Sequence, residues 1–185
     1  MSFSKLTTIL SHCPVFVETG TFHGEGINKA LKAGFSKVIS IEIFEPLYKE
    51  NLLRFSDEIE KGTVQLVLGD SGYVIGEAIQ LIDEPILFWF DAHDQTMNEA
   101  GVGDVKCPII KELNNIMAFR NLAKRRLDTL IIDDMRLITN KDIGWSVDLD
   151  EMYRAIWQYN PDFRLSREEG YIAHDILRCE YKLLK

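Results

Sequence analysis

Acidic side chains recur in this sequence wherever an apolar run stops. Val15-Phe16-Val17 ends at Glu18, Val38 to Ile41 at Glu42, Ile86 to Phe90 at Asp91, and Thr129 to Ile132 at Asp133-Asp134. A further run, Thr63 to Leu68, is followed by Gly69-Asp70-Ser71. If each run is a parallel strand, open α/β geometry gathers these ends on one rim, where ligands bind. Acids also cap helices, so a single such position says little; five together point to a ligand site with a concentrated negative charge.

The first of these acids opens the strongest local motif, Glu18-Thr19-Gly20-Thr21-Phe22-His23-Gly24-Glu25-Gly26, which runs directly into the helical pattern of Ile27 to Ala33. A pyrophosphate cradle wants exposed backbone N–H groups and no nearby negative charge. Here Glu18 and Glu25 flank the loop, and a dinucleotide fingerprint read from Gly24 fails because Lys29 stands at the third glycine position. The pattern favours a ligand carrying positive charge, such as the amino and sulfonium groups of S-adenosylmethionine. Glu18, Gly20, Thr21, Phe22, Gly24 and Gly26 are then candidate cofactor contacts. Glu42 is placed to accept hydrogen bonds from ribose hydroxyls, and Asp70 and Ser71 to contact adenine or to cap the next helix. An NAD-linked oxidoreductase is the alternative that Glu42 supports and that Glu18 and the broken fingerprint oppose.

These side chains need an ordered set of elements to hold them. Strand-like segments at Val15–Glu18, Val38–Glu42, Thr63–Leu68, Ile86–Phe90 and Thr129–Ile132 alternate with helical spacing at Gly26–Ala33, Pro46–Phe55, Tyr73–Ile82, Pro108–Phe119 and Leu149–Gln158. Gly34 is placed to end the first helix. Phe163–Ser166 and Tyr171–Leu177 flank a turn-like Arg167 to Gly170 and read as a hairpin. Five βα units and a hairpin predict an α/β fold: a doubly wound, mostly parallel sheet with a C-terminal antiparallel hairpin. The segment Ala92 to Val105 is a long irregular connection, and Ala100 to Gly103 would let it move as a lid.

Composition sets outer bounds. With 185 residues, 46% hydrophobic and 27% charged, the chain reads as one globular domain spanning 1–185. A net charge of −8 opposes nucleic acid or an anionic membrane as the main partner. The basic cluster Lys124-Arg125-Arg126 suits a helix C-terminus. Three widely spaced cysteines suggest neither a disulfide framework nor structural zinc, and no signal or membrane segment is evident, so a cytoplasmic protein is expected.

Taken together, Glu18 to Gly26, Ile41-Glu42, Gly69-Asp70-Ser71, Asp91 and the closing hairpin resemble the ordered motifs of class I S-adenosylmethionine-dependent methyltransferases, with their Rossmann-like fold. The pattern is most similar to the metal-dependent O-methyltransferases of the catechol and caffeoyl-CoA type, which carry an acidic–x–Gly–x–x–x–Gly loop, matched by Glu18-x-Gly20-x-x-x-Gly24. The resemblance implies methyl transfer to an oxygen of a small-molecule acceptor, with Asp91, Asp133 and Asp134 holding Mg²⁺ or a similar divalent cation. Adjacent carboxylates at a buried strand end repel, and a hard cation would relieve this; alternatively Asp134 caps the next segment or pairs with Arg136.

One departure bears on catalysis. Those enzymes place a lysine three residues after the strand-four Asp, where this chain has Asp94. His93 is the nearest candidate base, or a further metal ligand beside Asp91; both count as candidate catalytic residues. Trp89 reads as core, Trp145 as a wall of an acceptor pocket, His23 as a ligand-wall residue, and His174-Asp175 as lying on the last strand. The missing lysine leaves room for a non-catalytic S-adenosylmethionine-binding protein. So few additions surround the common core that the site is either open or completed by a second subunit, as in a homodimer.

Overall fold

The first strand, β1 (Val15–Thr19), is buried over its whole length and is an inner strand of a seven-stranded sheet, third from one edge. The structure is a computed structural model that describes residues 12–93, 105–143, 145 and 147–181. From β1 the chain runs through α1 (Glu25–Ala33), β2 (Lys37–Glu42), α2 (Glu45–Arg54), α3 (Ser56–Glu60), β3 (Val64–Leu68) and α4 (Ser71–Ile79). It continues through β4 (Ile86–Phe90), α5 (Ile109–Phe119), α6 (Leu122–Arg125), β5 (Thr129–Ile132), α7 (Met135–Ile138), α8 (Leu149–Tyr159), β6 (Phe163–Glu168) and β7 (Ile176–Tyr181). The strand order is β3-β2-β1-β4-β5-β7-β6, with β1 to β5 parallel and β7 antiparallel between β5 and β6. The predicted doubly wound sheet with its closing hairpin is the observed one.

Alternation along the strands builds two apolar layers. Val17, Ile39, Phe88 and Phe90 face the layer shared with Ile75, Leu113 and Ile156, whereas Phe16, Val38, Leu87 and Ile131 face α1 through Ile27 and Ala30. Both faces of the central strands are therefore covered, which is why their sequences are continuous apolar runs. Gly34 closes α1 with a left-handed φ of 96° and an N–H reaching Ala30 and Leu31 carbonyls. At the end of the sheet opposite the acidic rim, Asp128 accepts from Arg120 Nε and Nη2 at 2.7 Å and from the Tyr159 hydroxyl at 2.5 Å. Among the described residues, no helix is long and apolar enough to cross a membrane.

The hairpin differs in detail from its prediction. Its second strand starts at Ile176 rather than Tyr171, so His174 and Asp175 precede the strand instead of lying on it. The reason is a tie to the end of β5: Asp175 takes the Met135 N–H on its carbonyl at 2.8 Å and the Arg136 N–H on Oδ1 at 2.9 Å. His174 turns the chain there with φ 62°. The short helices α3, α6 and α7 have no counterpart in the sequence pattern, because one turn of helix leaves no periodicity to read.

Candidate functional site

The sheet reverses its order between β1 and β4, and the glycine loop opens at that switch point. A cavity of about 290 Å³ lies there, bounded by Glu18, the loop from Gly20 to Gly26, Lys29, Trp89, Asp91 and Asp133. Glu18 is 4% exposed and pairs in register with Ser40 on β2 and Trp89 on β4. Its Oε1 accepts from the Ser40 hydroxyl at 2.7 Å, and the Ser40 and Thr21 hydroxyls share a further bond of 2.6 Å. Burial pushes the Glu18 carboxyl up to about 8, against the opposing Ser40 hydrogen bond. Gly26 is required here: a Cβ on it would lie 1.7 Å from Glu18 Oε2. Gly24 is required for a second reason, a φ of 74° with Asn51 Oδ1 only 2.4 Å from where a Cβ would sit.

Helix-borne polar groups hold this loop, and the sequence pattern did not reveal them. Asn51, fully buried on α2, donates from Nδ2 to the carbonyls of Phe22 at 2.7 Å and Leu47 at 2.9 Å. Glu42 receives the N–H groups of Phe22 and Phe44, each at 2.8 Å. The expected ribose acceptor is thus the anchor of the loop, and Phe22 closes over it with φ 47°. Asp70 caps α4 by accepting from Gly72 N–H at 2.9 Å. The Ser71 hydroxyl donates to Glu112 at 2.5 Å. Glu112, in the first turn of α5 and 1% exposed, is pushed up to about 7 by burial, with Ser71 and Thr19 hydrogen bonds opposing. Neither Asp70 nor Ser71 belongs to the described lining of the cavity.

Asp91 stands between this cavity and the ends of β4 and β5. Its side chain is 41% exposed to the cavity yet walled by protein, and burial followed by the charges of Asp133 and Asp134 pushes it up to about 7. His93 Nε2 lies 3.1 Å from Asp134 Oδ2 and 3.9 Å from Asp91 Oδ1. Its ring stacks on buried Trp145 with centroids 4.7 Å apart. Asp133 Oδ1 accepts the Asp134 N–H at 2.8 Å, and burial is the chief cause that raises Asp133 above the usual carboxylate range. Burial alone would raise Asp134 as well, but hydrogen bonds with His93 and Arg136 win and hold it low. Arg136 Nη1 meets Asp134 Oδ1 at 2.5 Å and also the buried Asp175. Asp134 has φ 54° and precedes α7, but its side chain makes no capping hydrogen bond to that helix; of the two alternatives raised for it, the pairing with Arg136 is the one observed.

Comparison with known proteins yields no matching family model and no matching curated relative. Solved structures do match. A candidate rRNA methylase of Clostridium thermocellum superposes with a TM-score of 0.60 at 12% identity, over 97% of this chain and 96% of that one. The methyltransferase PaMTH1 of Podospora anserina, bound to S-adenosylhomocysteine (SAH), gives 0.59 at 11% identity, over 99% of this chain and 80% of that one. An rRNA methylase of Streptococcus thermophilus gives 0.56 at 14% identity, over 99% and 95%. The fold is the Rossmann-like methyltransferase fold. At these identities the likeness speaks for architecture, and the chemistry has to be argued from the residues themselves.

The expected site residues divide into three sets. Glu18, Gly20, Thr21, Phe22, Gly26, Asp91 and Asp133 line the cavity. Gly24, Glu42, Asp70 and Ser71 shape or support the loops around it. Asp91, His93 and Asp134 come together as one group of donor atoms within 4.8 Å of one another, and Asp133, Asp134 and Asp175 as a second. Trp89, expected in the core, is partly buried and forms a cavity wall, while Trp145 is buried against His93. The missing-lysine position, Asp94, and the rest of the candidate lid at 94–104 lie outside the described residues.

Proposed function

We propose that this protein transfers the methyl group of S-adenosylmethionine to an oxygen of a small-molecule acceptor. The observation that carries the reading is Glu18: a buried carboxyl at the switch point of the sheet, packed against a glycine through which the next helix begins. A buried carboxyl at this place ionises readily only against a cation, so it favours an ammonium or sulfonium group over a diphosphate. SAH bound to a protein of the same fold supports the assignment.

In this reading the loop from Gly20 to Gly26 holds the amino-acid end of the cofactor, and Glu42 keeps Phe22 in place over the ribose end. When bound, the cofactor supplies an electrophilic methyl group. Asp91 faces the cavity from the side of His93 and Asp134, so it is the side chain that orients the acceptor oxygen toward that methyl group. A divalent cation at these carboxylates would lower the acceptor's pKa. Trp145 fixes the His93 ring, and His93 Nε2 faces Asp134. The net charge of −8 favours a small molecule over RNA as acceptor.

Thermal melting separates this reading from a nicotinamide enzyme. Saturating SAH is expected to raise the melting temperature and NADH to leave it unchanged. No shift with SAH, or a shift with NADH alone, overturns the proposal.

A further inference from the structure

The resemblance to oxygen methyltransferases implied an all-carboxylate ion site of Asp91, Asp133 and Asp134. The side-chain geometry groups the donors differently. His93 Nε2, Asp91 Oδ1 and Asp134 Oδ2 converge, with His93 3.9 Å from Asp91 and 3.1 Å from Asp134. With Asp133, Glu112 and Trp145 they border a cavity of about 10 Å³, the volume of a single water or ion, and what sets Asp133 apart is the grouping of donor atoms rather than the lining. Asp133 falls in the other group, and there the buried Asp175 accepts from both the backbone N–H and the guanidinium of Arg136. That second group therefore already holds a cation, the arginine. Arg136 also takes Asp134 Oδ1, which leaves Oδ2 turned toward His93.

We propose that Asp91, His93 and Asp134 form a binding site for a divalent first-row transition ion, with His93 in the place that the resemblance gave to Asp133. An imidazole nitrogen with two carboxylate oxygens suits Mn²⁺, Fe²⁺, Co²⁺ or Zn²⁺, whereas Mg²⁺ prefers oxygen ligands alone and keeps its waters. The stacked Trp145 restrains the imidazole ring from turning away, and the Arg136–Asp134 pair fixes the carboxylate. The inference deepens the functional reading of the same site, and its test scores ion and cofactor separately.

The full-length protein is titrated with Co²⁺, Mn²⁺ and Mg²⁺, with and without SAH, following ligand-field absorption, Trp145 fluorescence against a Trp145→Phe control, and pulsed electron paramagnetic resonance of the Mn²⁺ complex. The expected result is Co²⁺ and Mn²⁺ binding at least about tenfold tighter than Mg²⁺, with nitrogen hyperfine modulation from one imidazole. His93→Ala is expected to weaken Co²⁺ binding by at least about tenfold, and Asp133→Asn to leave it nearly unchanged. Mg²⁺ binding as tightly as Co²⁺, absence of the nitrogen signal, loss of the ion in Asp133→Asn but not His93→Ala, or no ion binding at all would each overturn it. The wild-type selectivity and nitrogen signal decide the matter even where a variant fails to fold. An SAH melting shift without ion binding defeats the ion site alone; ion binding without an SAH shift defeats the cofactor reading alone.

Discussion

Replacing Glu18 by glutamine removes a titrating group from the centre of the fold while keeping its shape. In the ligand-free protein the Glu18 carboxyl is raised by burial to about 8 from an ordinary 4.5. Ser40 on β2 and Lys29 on α1 pull it down, while Asp91 just past β4 and Glu42 on β2 push it up. A carboxyl raised on folding stabilises the fold fully below its unfolded value, and that contribution is lost as pH rises through the folded value. The interval corresponds to roughly 5 kcal/mol of ligand-free stability drawn down between pH 4.5 and 8. At roughly 2–4 °C per kcal/mol for a chain of this size, the melting temperature of wild type is expected to fall by about 10 °C or more across that window. Glu18→Gln should remove the Glu18 share of that fall and make the profile shallower, leaving the slopes of Asp91, raised from 3.8 to about 7, and Glu112, raised from 4.5 to about 7. A cationic ligand reverses the balance by ionising Glu18. At pH 7 wild type should release about 0.9 proton more than Glu18→Gln on binding SAH, read by calorimetry in buffers of different ionisation enthalpy. Parallel melting profiles for wild type and Glu18→Gln, or equal proton release by both, would refute the reasoning.

Two further perturbations probe the surroundings. Gly26→Ala drives a methyl group into Glu18 Oε2 and is expected to lower stability by about 1–3 kcal/mol and to abolish the SAH shift; adding Glu18→Ala should restore stability in denaturant melts but not binding. Asp128→Ala strands Arg120 and the Tyr159 hydroxyl at the opposite end of the sheet, so a loss of about 3–5 kcal/mol is expected, with SAH affinity unchanged in whatever fraction folds.

Several features were legible along the chain because their causes are local. Apolar runs of three to six residues, four of them stopped by an acid and one by Gly69-Asp70, marked the strands and their rim. The spacing of Gly20, Gly24 and Gly26 announced a tight strand-to-helix junction. The roles of the polar groups were less accessible. Asn51 and Glu112 occupy helical positions where a polar residue looks like solvent-facing surface, and their partners lie 29 and 41 residues away. Residues 171–175 looked strand-like, but Asp175 is pulled to Arg136 just past the end of β5, and local pattern carries no trace of that tie.

The sequence by itself determined a parallel sheet with an acidic rim and a glycine loop unsuited to diphosphate, since strand burial, helix periodicity and backbone freedom are written into neighbouring residues. Only the tertiary structure divided the acids. Glu18 and Asp91 face the cavity, Glu42 holds a loop, Asp70 caps a helix, and Asp134 meets His93 and Arg136. A carboxylate's role is set by which donors surround it in space, and those donors come from strands and helices that only folding brings together.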